Sequence, residues 1–167
     1  VGADARVGPG DDIGLGGVQA AHFVMDGALQ DRLLLDPYVM ISSDGSPTSH
    51  HPRGHGAFAK VIRDFVVQRK LLTLEEAMRK MTGLTSDTLG LDRLQRGRLQ
   101  NGWAADVLVF DPAKVRDNAT YESPHNLATG FTYVIVNGKV VRENDRATGI
   151  RAGQMLRKSP QSPASGD

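Results

Sequence analysis

Two hydrophobic periods divide this chain, helical through much of the stretch before Arg96 and strand-like after it. Phe58, Val61, Ile62, Phe65 and Val66 fall at i, i+3, i+4, i+7 and i+8, the stripe by which a helix packs on a core, and the spacing predicts a helix over residues 58–69. Leu29, Leu33 and Leu34 share one face of a shorter helix expected over residues 26–35. Thr73-Leu-Glu-Glu76 is a capping-box pattern that opens another, with Leu74, Ala77, Met78 and Met81 as its apolar face. Gly83 is expected to end that helix, and residues 85–89 to add one further turn. Tyr38 to Ile41 is different: a short apolar run between Pro37 and Ser42-Ser43-Asp44-Gly45. It reads as a strand over residues 38–43, buried on both faces and ending in a polar loop. Residues 20–25 read as a further strand or the end of one.

After Arg96 the pattern predicts a turn at Gly102 and a strand that stops at Asp111-Pro112. Phe131–Val136 and the run from Lys139 to Arg142 flank Asn137-Gly138. Both turn residues tolerate positive φ, so this is a strong two-residue hairpin signal. Residues 1–17 and 118–130 are loops by composition, and the tail, residues 151–167, is too poor in apolar side chains to hold a fold.

Composition narrows the class without naming it. With 167 residues, 40% of them hydrophobic, and 20 Lys and Arg against 19 Asp and Glu, the chain is an ordinary globular protein of net charge +1. It shows no basic stripe and only 5% aromatic residues, so neither phosphate neutralisation nor base stacking has a platform, and nucleic acid is not an expected partner. No apolar run reaches the roughly 20 residues that span a bilayer. With no charged-then-apolar leader pattern, the default expectation is a cytoplasmic protein. Zero cysteines exclude disulfides and any Cys-containing zinc site within the chain.

The candidate chemistry collects around Asp44. In parallel barrels the reacting side chains leave the C-terminal ends of strands, and an Asp there, followed by a glycine that lets the chain turn, is a candidate catalytic carboxylate. The alternative is a turn or helix-capping Asp. His50, His51 and His55 lie too close together to make a helical His-x-x-x-His zinc pair, and read as polar loop residues. Arg53 presents a planar fork suited to a carboxylate, either a substrate's or a structural partner's. Asp106 and Asp111 read as structural. Gly8-Pro9-Gly10 and Gly14-Leu15-Gly16-Gly17 lack the preceding strand and following Gly-Lys of a phosphate cradle.

Three motifs carry a resemblance: Val39-Met-Ile-Ser-Ser-Asp44-Gly-Ser-Pro47, His51-Pro-Arg-Gly-His-Gly-Ala-Phe58 and Leu74-Glu-Glu-Ala-Met-Arg-Lys-Met-Thr82. Together they resemble the final third of the N-acyl-D-amino-acid deacylases, or D-aminoacylases, of the amidohydrolase superfamily, over roughly residues 16–158. The resemblance implies an α/β fold: the C-terminal part of a (β/α)8 TIM barrel in residues 1–95, strands of a small β-sandwich domain in residues 96–150, and a flexible tail beyond. It implies zinc as cofactor and an N-acyl-D-amino acid as substrate. Asp44 would be both metal ligand and catalytic proton carrier, with Met25, His22 and Arg53 binding substrate. His22 stands where relatives often carry Tyr. Family members also hold zinc through several His and a Cys on earlier strands. A whole barrel takes about 250 residues, so the expected partner is the remainder of the barrel, and the chain by itself is expected to be inactive. Two other readings stay open, a dihydroorotase-like or hydantoinase-like cyclic amidase and a non-catalytic binding or assembly module.

Overall fold

The computed structural model describes residues 25–46 and 50–157. Helix α1, Gly27–Leu35, starts at Asp26, whose carboxylate accepts the Leu29 N–H at 2.8 Å. Helix α2, Arg53–Lys60, runs without a break into a wider, π-type stretch, Val61–Gln68, closed by the Arg69 N–H donating to the Asp64 carbonyl five residues back. Helix α3 is Leu74–Met81 and α4 is Gly83–Leu89. The strands β1, Val107–Phe110, β2, Phe131–Val136, β3, Lys139–Glu143, and β4, Arg146–Ala147, form an antiparallel sheet in that order. Among the described residues no helix is long and apolar enough to cross a membrane.

The predicted stripe works on both sides of one helix. Val61 and Phe65 join Leu72 and Ala77 in one core, with Leu34 and Ile41 packed on it. Ala59 and Ile62 join Val115 in a second, where Phe110 and Phe131 bring the sheet against the helices. Residues 53–68 therefore tie the helical part to the strands. The hairpin forms as predicted, with Asn137 at φ 48° and Gly138 at φ 75°. Half of the predicted capping box forms: Thr73 Oγ1 accepts the Glu76 N–H at 3.2 Å, but the Glu76 carboxylate turns to Arg79 at 2.8 and 2.9 Å instead of reaching back. Asp106 accepts the Asn137 N–H at 2.8 Å and pairs with Arg96, and Asp111 accepts the Ala113 N–H at 3.0 Å, so both serve the fold.

Three expectations need correction. Residues 38–43 form no ladder, and they are not buried on both faces: Val39 and Ile41 are half-buried while Tyr38 and Met40 are exposed. The cause is a lack of neighbours, since a parallel strand needs partners on both edges and no described strand lies beside this one. Helix α3 supports the segment instead. Its Lys80 carbonyl accepts the Ile41 N–H at 3.3 Å, Arg79 donates to the Pro37 carbonyl at 2.7 Å, and Lys80 Nζ donates to the carbonyls of Asp36 and, at 3.1 Å, Val39. Gly83 begins α4 rather than ending α3, the break falling at Thr82 with φ −131° and ψ −81°. The long helix starts at Arg53 rather than Phe58, because the Gly-rich turn before the apolar stripe is itself helical. His22, the strand expected at residues 20–25 except Met25, and the tail beyond residue 157 lie outside the described residues.

Lys80 is wholly buried. Replacing it with Met would keep the volume but leave the Val39 carbonyl without a donor and the Asp36 carbonyl with the Val39 N–H alone, and Lys80→Met should cost about 1–3 kcal/mol. A urea midpoint that falls accordingly at unchanged slope checks this. An unshifted midpoint would show that the lysine does not clamp the segment.

Candidate functional site

Asp44 leaves the end of the supported segment with φ 47°, an uncommon angle for a residue with a side chain. Two hydroxyls hold the turn, Ser42 Oγ accepting the Asp44 N–H at 3.4 Å and Ser43 Oγ accepting the Gly45 N–H at 3.2 Å. A Cβ placed on Gly45 would lie 2.5 Å from the Gly54 Cα, so only glycine lets this loop close on the start of α2. That closure sets Arg53 Nη2 3.0 Å from Asp44 Oδ2. The Asp44 side chain is 82% exposed and the Arg53 side chain 46%, so their pairing contributes little to stability. What it does is place a carboxylate and a guanidinium side by side, facing solvent.

His51 supports Arg53 from behind. Its Nδ1 accepts the Arg53 N–H at 3.1 Å, and its Nε2 lies 3.2 Å from the Tyr121 hydroxyl, with the two rings edge to face at 5.1 Å. A cleft of about 620 Å³ opens beside these residues, and its walls include the polar Ser42, His51, Arg53 and Tyr121 and the apolar Met40 and Phe65. Burial lowers the His51 pKa from 6.5, the Arg53 charge lowers it further, and the Asp44 carboxylate partly offsets both. His51 is therefore neutral at pH 7, as an Nδ1 acceptor must be.

The structure sets Asp44 beside Arg53, a pairing that the sequence did not predict. Met25 stands exposed just ahead of the α1 cap and is not among the residues that wall the cleft. His50 and His55 each meet the His125 ring at 5.4 Å. Among the described residues no group of three His, Cys, Asp or Glu side chains is arranged to hold a metal ion. The donor chemistry fits one position of a zinc site: Asp44 is an accessible carboxylate oxygen donor. A catalytic zinc takes about three protein ligands, so the others would come from outside the described residues. Sequence reasoning missed Tyr121 and Lys80. The Tyr121 contact spans 70 positions and left no local signal, whereas Lys80 sits four residues after Glu76 in a pattern that ordinarily marks a solvated face.

A protein-family model described as the amidohydrolase family matches residues 25–142. The chain belongs to that family. N-acyl-D-aspartate deacylase of Alcaligenes xylosoxydans xylosoxydans is 41% identical over 139 residues, which cover 82% of this chain and 28% of the relative. Among solved structures, the D-aminoacylase that defines a novel subset of amidohydrolases matches with TM-score 0.77 and 42% identity, over 83% of this chain and 29% of that one. The N-acyl-D-glutamate deacylase of Bordetella bronchiseptica, complexed with zinc and a phosphonate that mimics the tetrahedral intermediate, matches with TM-score 0.75 and 39% identity, over 83% and 29%. The chain thus spans less than a third of the length of the relatives it matches.

Because the folded-state pKa of His51 is lowered, the unfolded chain binds the proton more readily, and the stability tied to neutral His51 is present above pH 6.5 and lost as pH falls from there toward the folded-state value. An NMR titration of the His51 ring should give a midpoint below 6.5, with the Arg53 amide resonance shifting at the same pH as its acceptor is lost. A midpoint at or above 6.5 would contradict the geometry.

Proposed function

We propose that this chain supplies the C-terminal part of a zinc-dependent N-acyl-D-amino-acid deacylase. In this reading residues 1–95 complete a (β/α)8 barrel, residues 96–150 belong to its small β domain and residues 151–167 form a tail. The observation that carries the reading is the exposed Asp44–Arg53 pair, held at 3.0 Å at the end of a supported segment, inside the stretch matched by relatives named as deacylases.

The chemistry is hydrolysis of a linear amide to a carboxylate and a D-amino acid. Bound zinc would supply an acidified water and polarise the carbonyl, with Asp44 among its ligands. Asp44 takes a proton from the attacking water on a carboxylate oxygen and returns it to the departing nitrogen as the C–N bond breaks, so acid and base duties fall on one group. Arg53 has five donors and uses one edge on Asp44, which leaves the other to grip the α-carboxylate of the substrate. With those two anchors adjacent, an amide nitrogen one carbon from the bound carboxylate lies within reach of Asp44. Met25 would offer flexible apolar contact to the substrate side chain, and His22 would be a second substrate-binding residue.

The assay uses a chimera in which this chain replaces the matching C-terminal stretch of a D-aminoacylase. It should release D-methionine from the N-acetyl derivative in a zinc-dependent manner. Asp44→Asn and Asp44→Ala should each lower kcat by about a thousandfold or more, since both proton transfers are lost. Arg53→Lys should act mainly on KM, raising it roughly tenfold, because the fork and not the charge is removed. Near-normal turnover in the Asp44 variants would refute the assignment.

The chain of 167 residues on its own should hydrolyse no N-acyl-D-amino acid after reconstitution with zinc. Appreciable turnover by a clean monomer would show instead that it carries a complete site.

A further inference from the structure

The deacylase reading gives His51 no part in the chemistry, yet its side chain is engaged at both nitrogens. Nδ1 accepts the Arg53 N–H at 3.1 Å, which leaves the ring proton of the neutral imidazole on Nε2, 3.2 Å from the Tyr121 oxygen. Pro52, at the capping position of α2, makes no side-chain cap bond. The imidazole therefore satisfies a first-turn N–H that the helix cannot. Tyr121 is itself held. Four residues before it, Asp117 pairs with Arg63 at 2.6 Å, and the Arg116–Thr129 bridge closes the loop that carries it, residues 118–130. The chain entering and forming this loop is thus fastened at two points, Asp117 to Arg63 within the helix of residues 53–68 and Tyr121 to His51 just ahead of that helix. The second lies directly behind the Asp44–Arg53 pair.

We propose that His51 is a positioning residue for Arg53, held in place by the Tyr121 hydroxyl, so that the substrate-carboxylate fork is set by a segment that meets His51 across 70 positions of the chain. The effect on catalysis rests on the deacylase reading. The geometry of the ring does not. Capping and anchoring can be separated, because an Asn at this position keeps a short acceptor for the Arg53 N–H but cannot reach Tyr121.

In the chimera, Tyr121→Phe and His51→Asn should each raise KM for the N-acyl-D-amino acid roughly tenfold, the weight of one lost hydrogen bond, with kcat within about twofold. The double variant should be no worse than either alone, since both remove the same link. His51→Leu, which also removes the cap, should raise KM further. Unchanged KM in Tyr121→Phe would overturn the proposal, as would additive losses in the double variant, or a fall in kcat and bound zinc with KM unchanged. The tautomer is read independently of catalysis, in the 167-residue chain carrying isotope-labelled histidine. His51 Nδ1 should resonate as an unprotonated nitrogen and Nε2 as a protonated one, and Tyr121→Phe should shift Nε2. The reverse tautomer, or an Nε2 signal indifferent to Tyr121→Phe, overturns the proposal. An unsubstituted chimera without deacylase turnover would sink the deacylase reading, and the nitrogen spectra would then decide the role of His51 alone.

Discussion

The ammonium of Lys80 is the constraint on which the candidate site depends. An unpaired charge inside a protein is costly, and this lysine has no exposed surface. Its cost is offset by the carbonyls of Asp36 and Val39, with the Glu76 carboxylate 3.9 Å away. Asp36 closes helix α1, so its carbonyl lies at the negative end of that helix, where a cation is favoured. One side chain thereby ties the end of α1, the segment of residues 36–41 and helix α3 together. Fixed this way, Ile41 packs on the core of Phe65 and Ala77, and the chain emerges at Asp44 in a defined place with no described strand beside it.

From there the loop has to return to the helix that unites the two cores. Gly45 meets Gly54 so closely that a Cβ could not be inserted, and the contact brings a carboxylate at the end of one element against a guanidinium at the start of the next. Neither charge is buried. Exposed ion pairs add little to stability, so the arrangement does little for the fold and leaves two opposite charges accessible, ordered by glycine packing on one side and by His51 and Tyr121 on the other.

Much of the helical architecture was legible because it is written locally. The five-residue apolar stripe forecast the helix of residues 53–68, Thr73 forecast the cap of α3, and Asn137-Gly138 forecast a turn that only residues tolerant of positive φ can make. The site was legible in part. Asp44 and Arg53 could be singled out one by one from an Asp-Gly loop and a basic residue in a glycine-rich run, and the structure adds that they pair. The failures share a cause. Burial of residues 38–43 was inferred from apolar content alone, but a ladder depends on neighbours that the run does not encode. Lys80 in an amphipathic helix looks like a solvated residue until the carbonyls of a distant segment are folded against it. Tyr121 meets His51 only through tertiary structure.

The central claim is that Asp44 reaches a metal, and the most direct measurement is a crystal structure of the zinc-loaded chimera. An Asp44 carboxylate oxygen is expected about 2.0–2.2 Å from zinc, with Arg53 still beside it and its free edge open toward the substrate site. A fully coordinated zinc with Asp44 outside its shell would contradict the account.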